Sequence, residues 1–252
     1  MTAALETIGL TRRFGGVVAT DNVSLSVAKG ARHALIGPNG AGKTTLLHLL
    51  TGFLAPDQGR ILLDGADVTR AAPSRRARRG MARSFQISQL FPSLSAAESV
   101  ALALAQTDRA HPLVRFRSRP ALLDHAAALL DRFGLSDVAG QPVQMLPYGR
   151  QRLLEIALAL ACRPRILLLD EPAAGVPEAE RADILRALRE LPQDVAVLLI
   201  EHDMDLVFSF AAHITVLAEG AILADGAAEA VRRDARVQRI YLGHDPAGQA
   251  DG

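Results

Sequence analysis

The sequence predicts an α/β fold in which a helical insertion interrupts a sheet-containing core. Continuous apolar runs end at Ile36, Leu169 and Ile200, and each is followed by a glycine loop or by acidic residues. Strands that are buried on both faces of a parallel sheet require such runs. Longer helical patterns alternate with these runs, which is typical of α/β architecture.

The N-terminal third is predicted to contribute both antiparallel and parallel strands. Residues 5–10, 23–27 and 60–63 alternate apolar and polar side chains and favour antiparallel strands. Residues 34–36 form a buried strand that leads into a glycine-rich loop, and residues 46–50 continue as a helix. This part therefore combines an antiparallel β subdomain with the start of a mixed sheet.

The middle of the chain has helical patterns without comparable strands. Ser95-Ala-Ala-Glu98 is a capping-box pattern and marks a helix N-terminus. Helical periodicity also covers residues 121–133 and 148–161. We expect Pro147 just inside the start of the latter helix, in its first turn, where a missing N–H costs no intrahelical bond.

These patterns predict one domain with an inserted subdomain. The core comprises residues 1–86 and 163–243, and the helical subdomain comprises residues 87–162. A hairpin around Gly220 closes the core, and residues 244–252 lack apolar periodicity and form a flexible tail.

Composition excludes several classes of protein. The 252 residues are 49% hydrophobic, and 28 basic residues nearly balance 27 acidic ones, so no global charge favours nucleic acid as a partner. The single cysteine, Cys162, excludes an internal disulfide framework. No secretory signal and no apolar run of about 18 residues is visible, which predicts a soluble cytoplasmic protein. The basic run Arg75, Arg76, Arg78 and Arg79 is interpreted as a solvated helix face.

A phosphate-binding loop follows the buried strand at residues 34–36. Gly37-Pro38-Asn39-Gly40-Ala41-Gly42-Lys43-Thr44-Thr45 matches G-x-x-x-x-G-K-[ST] between a strand and a helix. The glycines let successive N–H groups point at phosphate oxygens, and the helix N-terminus adds partial positive charge. Lys43 is expected to reach the β- and γ-phosphates, and the Thr44 hydroxyl is expected to bind Mg²⁺.

Two carboxylates follow the next buried run. Asp170 and Glu171 stand at the C-terminal end of a predicted strand, where ligands bind in parallel α/β sheets. A Mg²⁺ held by Thr44 and phosphate oxygens needs a nearby carboxylate, which Asp170 would supply. Glu171 is then free to orient and deprotonate a water molecule.

His202 and Gln86 complete the candidate site. His202 follows the strand that ends at Ile200, so a neutral imidazole there can donate to a γ-phosphate oxygen. Gln86 stands at the border of the insertion, where its amide can bind Mg²⁺ or the attacking water. The remaining histidines are interpreted as ordinary core or surface residues: His33, His48, His111, His125, His213 and His244.

In order and spacing, these motifs resemble the ATP-binding subunits of ABC transporters over nearly the whole chain. The resemblance implies a P-loop NTPase core of the ABC ATPase type, with ATP and Mg²⁺ as cofactors. It implies that Gln86 is the Q-loop residue, Asp170 ends the Walker B strand, Glu171 is the general base and His202 is the switch histidine. Phe14 is similar to the aromatic residue that stacks on adenine.

A narrower resemblance is to the LivG-type subunits of branched-chain amino-acid importers. Residues 83–94, 170–175, 201–204 and 241–243 are similar to segments of that group. The resemblance implies a peripheral protein on the inner face of the cell membrane, bound to permease subunits. Its ATP hydrolysis would drive uptake of a small solute, namely branched-chain or other amino acids. An extracytoplasmic solute-binding protein would act indirectly, two ATP-binding subunits would pair as a homodimer or heterodimer, and residues 87–162 would contact the permease.

The segment that resembles the ABC signature departs from the usual pattern. In the family this segment acts on the nucleotide of the partner subunit, and here it reads Pro147-Tyr148-Gly149-Arg150-Gln151. Pro147 replaces a serine and cannot make the hydroxyl contacts, whereas Arg150 would supply a full positive charge. Residues 176–178 also depart from the usual dimer loop.

Three alternatives remain open from sequence alone. A P-loop kinase would use Lys43 and Asp170 but leaves Gln86 and His202 without roles. An ABC protein that remodels nucleic acid or ribosomes usually carries two cassettes or a long coiled coil, and neither is present. A regulatory module that binds ATP without hydrolysing it is compatible with the altered signature.

Overall fold

The structure is a computed structural model that describes residues 3–84, 91–107 and 119–242. The described residues form two compact units. The first contains residues up to 79 together with those from 196 onward, and the second contains residues 80–195. The run at 166–169 thus groups with the helical subdomain, whereas the sequence-based boundaries place it in the core.

The first unit contains an antiparallel sheet. Its strands are β1 (Ala3–Phe14), β2 (Val17–Val23), β3 (Ser26–Ala28), β5 (Gln58–Leu63) and β6 (Ala66–Asp67), in the order β2-β1-β5-β6 with β3 also paired to β1. The expected antiparallel strands are therefore present. The predicted strand at 23–27 is divided between β2 and β3, because the Thr7 hydroxyl donates to Val23 O (3.1 Å) and accepts from Leu25 N (2.7 Å).

A mixed sheet in the same unit carries the ends of three parallel strands. Its strands in this unit are β4 (Arg32–Ile36), β9 (Ala196–Ile200), β10 (His213–Ala218) and β11 (Ala221–Ala227), in the order β11-β10-β4-β9. Strands β10, β4 and β9 are parallel, and β11 forms the predicted hairpin with β10. The loops after β4, β9 and β10 therefore leave from the same edge of this sheet.

Five helices belong to the first unit: α1 (Lys43–Thr51), α2 (Pro73–Arg78), α7 (Met204–Phe210), α8 (Ala228–Arg233) and α9 (Ala235–Leu242), numbered in chain order along the described chain. One face of the mixed sheet is buried against α7, α8 and α9. Each fully buried aliphatic side chain contributes about 1.5–3 kcal/mol. The packed side chains include Ala34, Ile36, Ile214, Val216, Val207, Val231 and Val237.

Arg76 contradicts the interpretation of the basic run as a solvated face. Its side chain is fully buried (1% exposed) and donates to Leu49 O (2.6 Å) and Leu50 O (2.5 Å). Two more bonds go to the carbonyls of Thr69 (2.9 Å) and Ala71 (3.0 Å). The last carbonyls of a helix have no intrahelical donor, and Arg76 supplies donors to two carbonyls in the last turn of α1. Burial lowers the pKa of Arg76 to about 10.

In its described ranges, the second unit contains two parallel strands and four helices. The strands are β7 (Met81–Arg83) and β8 (Ile166–Asp170), and the helices are α3 (Ala96–Thr107), α4 (Arg119–Arg132), α5 (Tyr148–Ala161) and α6 (Glu178–Arg189). The predicted capping box is confirmed: Glu98 Oε2 accepts from Ser95 N (2.9 Å), and Ser95 Oγ accepts from Glu98 N (3.1 Å). None of the helices in the described ranges is both long and apolar enough to cross a membrane.

Candidate functional site

The phosphate loop lies between β4 and α1 in the first unit, as the motif requires. Gly37 directly follows β4, and α1 already begins at Lys43, so Lys43 and Thr44 belong to its first turn. Gly37 is buried, whereas Pro38, Asn39, Gly40 and Thr44 are exposed. The loop therefore presents backbone N–H groups at the positive end of a helix, which is an arrangement suited to an anion.

Two loop positions accept only glycine. A Cβ at Gly42 would lie 2.1 Å from Ala19 O, and Gly42 has φ +99, a conformation that other residues rarely adopt. A Cβ at Gly37 would lie 2.2 Å from Leu217 O on β10. The neighbouring backbone thus fixes the path of the loop, and these two glycines are needed for packing as well as for phosphate access.

The Lys43 side chain folds back over the phosphate loop and contacts its carbonyl groups. Its ammonium donates to Gly37 O (2.5 Å) and Pro38 O (3.0 Å), and the side chain is half-buried. These contacts place a full positive charge among the loop amides. The loop can therefore attract and hold an anionic phosphate group.

Phe14 stands at the end of β1 with its ring 45% exposed. The Arg12 guanidinium lies 4.9 Å from the ring centroid and is paired with Asp57 (2.8 Å). The expected adenine-stacking ring is thus accessible, with one cation over its face. Phe14 belongs to the same unit as the phosphate loop.

His202 stands on a turn that a buried carboxylate organises. Glu201 is 1% exposed, and its Oε2 accepts from His202 N (3.0 Å) and Asp203 N (3.4 Å). Asp203 then caps α7 by accepting from Leu206 N (3.1 Å). The His202 side chain is 64% exposed at the end of β9, so it is accessible at the same sheet edge as the phosphate loop.

Asp170 forms a buried ion pair in the second unit. Its Oδ2 accepts from Arg83 Nη2 (2.9 Å), and both side chains are at most 10% exposed. Ser84 Oγ accepts from Asp170 N (3.4 Å). The parallel pairing of β7 with β8 brings these residues together. The role of Arg83 is not predicted from sequence, because the three residues of β7 are too few to show a strand pattern.

Glu171 has an unusual backbone. Its φ is +47, in the left-handed region that a residue with a side chain rarely occupies. Glu171 O accepts from Ala174 N (3.0 Å), which closes a turn immediately after β8. Strained residues of this kind are found where surrounding structure holds a functional side chain in place. The conformation turns the chain sharply between Asp170 and Glu171, which supports separate roles for the two carboxylates.

The segment that resembles the signature begins α5, but Pro147 is not inside the helix as expected. It is the N-cap, with φ −54 and ψ 151, and Tyr148 is the first helical residue. Pro147 O accepts from Gln151 N (3.0 Å), so its carbonyl takes part in the helix although its ring does not. The Gln151 side chain donates to Leu146 O (2.9 Å).

Gly149 lies against an acidic side chain. A Cβ at this position would lie 1.9 Å from Glu180 Oε2 on α6. A cavity of about 240 Å³ opens beside this contact, and its lining consists of Pro147, Gly149, Arg150, Leu153, Glu180 and Asp183. The N-terminus of α5 is therefore bordered by two carboxylates within the same unit.

The Arg150 guanidinium is bonded within its own unit. Its guanidinium bonds to Gly134 O and pairs with Asp137 (3.2 Å). This pairing attaches the start of α5 to the short 3₁₀ turn Ser136–Val138. Arg150 would have to leave both partners before it could contact a phosphate.

Tyr148 connects α5 with the turn that follows Glu171. Its hydroxyl donates to Ala174 O (3.3 Å) and accepts from Arg152, whose guanidinium also lies 4.8 Å from the ring centroid. Arg152 is buried and paired with Glu155 (2.7 Å). This pair was not predicted from sequence, although two opposite charges three residues apart within the buried stripe of α5 are a signal for it.

Some predicted features lie outside the described residues, namely Gln86, His111 and the tail at 244–252 with His244. The other candidates divide between the units. Phe14, the phosphate loop and His202 belong to the first unit; Asp170, Glu171 and the 147–151 segment belong to the second.

Comparisons with known proteins agree over most of the chain. Residues 20–174 match the sequence model of the ABC transporter family, and residues 221–247 match that of the branched-chain amino acid ATP-binding cassette transporter. The high-affinity branched-chain amino acid transport ATP-binding protein BraF of Pseudomonas aeruginosa is 42% identical, covering 95% of this chain and 97% of BraF. LivG of Escherichia coli K12 is 39% identical, covering 95% and 97% of the two chains.

Solved structures of ATP-binding cassettes also match this chain. The ADP conformation of MJ1267, an ATP-binding cassette of an ABC transporter, is 31% identical with a TM-score of 0.82, covering 97% of this chain and all of that one. A nucleotide-free ATP-binding cassette is 30% identical with a TM-score of 0.81, with the same coverage. The P-loop cassette fold predicted from sequence is confirmed.

Proposed function

This chain belongs to the ABC transporter family, and on that basis we propose that it is the ATP-hydrolysing subunit of an importer for branched-chain amino acids. The observation that carries the proposal is the C-terminal match at 221–247 to a family of that transport class. The names of BraF and LivG, which align over nearly their full lengths, support the same solute class. Membership in the family excludes the P-loop kinase alternative.

ATP is proposed to bind first through the first unit. Phe14 offers an exposed aromatic face for adenine. The amides of residues 37–45 surround the phosphates, and Lys43 exchanges its two carbonyl partners for β- and γ-phosphate oxygens. Thr44, which is exposed in the first turn of α1, presents its hydroxyl beside them.

The donor set fits Mg²⁺, a hard cation that prefers oxygen ligands. We propose that the Thr44 hydroxyl and the Asp170 carboxylate hold it, with the Gln86 amide as a further ligand. When bound, Mg²⁺ supplies positive charge to the phosphate oxygens. Arg83 orients Asp170 through the 2.9 Å pair, so this carboxylate is assigned to positioning the ion.

Hydrolysis is proposed to use Glu171 and His202. Glu171 accepts a proton from the attacking water, and its left-handed backbone distinguishes it from Asp170, the last residue of β8. His202 donates a hydrogen bond to a γ-phosphate oxygen, where negative charge develops. Glu201 stabilises the turn that carries the imidazole.

The segment at 147–151 is proposed to act on the nucleotide of a second subunit. Pro147 lacks both an N–H and a hydroxyl, so the contacts to the γ-phosphate come from backbone groups at Gly149 and the N-terminus of α5. The second subunit is either another copy of this chain or a related chain. In a head-to-tail pair, each ATP contacts the phosphate loop of one subunit and the segment at 147–151 of the other.

The permease subunits are proposed to bind the helical part of the second unit. An apolar groove of about 300 Å³ lies there, lined by Leu94, Glu98, Ala101, Leu102, Leu122 and Leu123. Phe91, which precedes it, is 57% exposed. Exposed apolar surface of this kind marks a protein contact. The chain would thus sit on the inner face of the membrane, and the solute-binding protein on the other face would act through the permease.

Reconstitution tests the function. The chain and its permease partners are placed in vesicles with the binding protein, and uptake of leucine, isoleucine and valine is measured with ATP inside. We expect ATP-dependent uptake that Lys43→Ala abolishes, with ATP affinity about tenfold weaker or more. Lysine and glutamate serve as control solutes. ATP hydrolysis with uptake of only a control solute would reject the solute class but leave the ATPase assignment intact.

A further inference from the structure

Three strands of the mixed sheet in the first unit place metal-binding side chains on one face. His33 is on β4, His213 and Thr215 are on β10, and Asp225 is on β11. His213 stands opposite His33 in the parallel pair, and Thr215 stands opposite Asp225 in the hairpin. Because alternate residues of a strand share a face, all four side chains leave the sheet on the same side.

The core of this sheet lies on the other side. Ala34, Ile36, Ile214 and Val216 pack against the helices there, so the four polar side chains are on the opposite face. Apolar residues at these positions would satisfy β-sheet packing equally well. The concentration of imidazole and carboxylate groups therefore needs an explanation other than the packing of that core.

The candidate ligand atoms are close together. One ligand atom from each of His33, His213 and Asp225 lies within 4.8 Å of the others. His213 Nε2 is 3.1 Å from Asp225 Oδ1, and His33 Nε2 is 2.8 Å from Thr215 Oγ1. The Thr215 hydroxyl also donates to Asp225, and the two imidazole centroids are 4.6 Å apart.

We propose that His33, His213 and Asp225 form a binding site for a divalent transition-metal cation of the Zn²⁺ type. Two imidazole nitrogens and one carboxylate oxygen are ligands that such ions prefer over Mg²⁺. Ligands at roughly 2.1 Å from a tetrahedral ion lie about 3.4 Å apart. Metal binding therefore shortens the largest separation between these ligand atoms, which is at most 4.8 Å, by little more than an ångström. Thr215 or a water molecule occupies the fourth coordination position.

Solvent access suits this role. The His213 and Asp225 side chains are 41% and 48% exposed, which gives an ion a path from solvent to the buried His33.

The site would tie together strands that hold the phosphate loop. Strand β4 ends directly before Gly37, and Leu217 O of β10 contacts Gly37 from the neighbouring strand. An ion that joins β4, β10 and β11 stabilises the folded state by mass action. We therefore expect bound metal to raise the thermal midpoint of the full chain.

A Co²⁺ titration tests the site, because Co²⁺ in imidazole–carboxylate sites absorbs visible light. The full chain without nucleotide is titrated with Co²⁺ in excess Mg²⁺, which occupies hard oxygen sites, and Zn²⁺ is then added. We expect saturation near one Co²⁺ per chain, displacement by Zn²⁺ and a higher midpoint with Zn²⁺. His213→Ala and Asp225→Asn should each weaken binding at least tenfold.

Two variants serve as matched controls. His125→Ala removes an exposed histidine of the second unit and Cys162→Ser removes the only thiol, and both should bind Co²⁺ like the parent chain. The absence of saturable Co²⁺ binding by the parent chain would overturn the proposal. So would undiminished affinity in either the His213 or the Asp225 variant, each checked for folding by circular dichroism; the four side chains would then be only a hydrogen-bonded link between strands.

Discussion

Glu171 has a left-handed backbone (φ +47), a conformation that residues with side chains seldom adopt and that Asp64 and Glu219 share in this chain. Its neighbour Asp170 is already paired with Arg83. The two adjacent acids therefore differ in what is observed of them: Asp170 ends a strand and is paired with a cation, whereas Glu171 has a left-handed backbone that begins a turn. This difference supports the division of labour inferred from their positions.

Glu171→Gln should preserve ATP binding and lower steady-state hydrolysis by about 10²–10⁴-fold, because the amide cannot accept the proton of water. ATP-bound dimer should accumulate and can be followed by size-exclusion chromatography with multi-angle scattering. Glu190→Gln, at an exposed position after α6, is the matched control. Undiminished turnover of the Glu171 variant would show that another group is the base.

Tyr148→Phe tests the link between the signature segment and the turn after Glu171. The variant keeps the ring but loses the hydroxyl that contacts Ala174 O and Arg152. We expect ATP affinity of the isolated chain to stay unchanged and hydrolysis by the dimer to fall about fivefold, since a coupling of about 1 kcal/mol is lost. A variant with parental kcat would indicate that the two segments are not coupled through this side chain.

At the level of elements, α1 depends on a residue far along the chain. The helix carries Lys43 and Thr44 at its start and has the carbonyls of Leu49 and Leu50 bonded to Arg76 near its end. The phosphate-binding helix is thus stabilised at its C-terminus by a side chain from α2. The sequence did not predict the burial of Arg76, because it stands in a run of arginines whose other members are exposed.

Arg76→Met should lower the free energy of unfolding by about 3 kcal/mol, because buried carbonyls lose their donors. Arg79→Met, at an exposed position immediately after α2, should change it by less than about 0.5 kcal/mol. Urea unfolding followed by far-UV circular dichroism measures both. Equal stabilities of the two variants would contradict a structural role for Arg76.

Local sequence patterns were sufficient to predict several strands and one helix start. Continuous apolar runs predicted β4, β8 and β9, and the capping box predicted the start of α3, because burial and capping depend on near neighbours in the chain. By contrast, β7 and α6 were not predicted. A three-residue strand is too short for a period to be visible, and α6 begins after Pro177 without a side-chain cap.

For the whole molecule, the proposed head-to-tail pair can be tested at Gly149. A simple Gly149→Asp change would bring its carboxylate against Glu180 within the same chain. The change is therefore combined with Glu180→Ala, which makes room, and Glu180→Ala alone is the control. The double variant should bind ATP as a monomer, whereas hydrolysis and ATP-dependent dimerisation should be lost through repulsion of the γ-phosphate of the partner's ATP. Retention of both activities would reject the trans role of this segment.

Sequence by itself determined the family, the phosphate loop, the carboxylates after β8 and the histidine after β9. Each of these is a motif of fixed spacing beside a strand or helix, so neighbouring residues encode it. Tertiary structure alone decided the burial of Arg76, the Asp170–Arg83 pair, the Tyr148 contacts and the cluster of His33, His213 and Asp225. These arrangements depend on which strands pair and in what register, and a one-residue shift in register would turn every side chain of a strand to the other face.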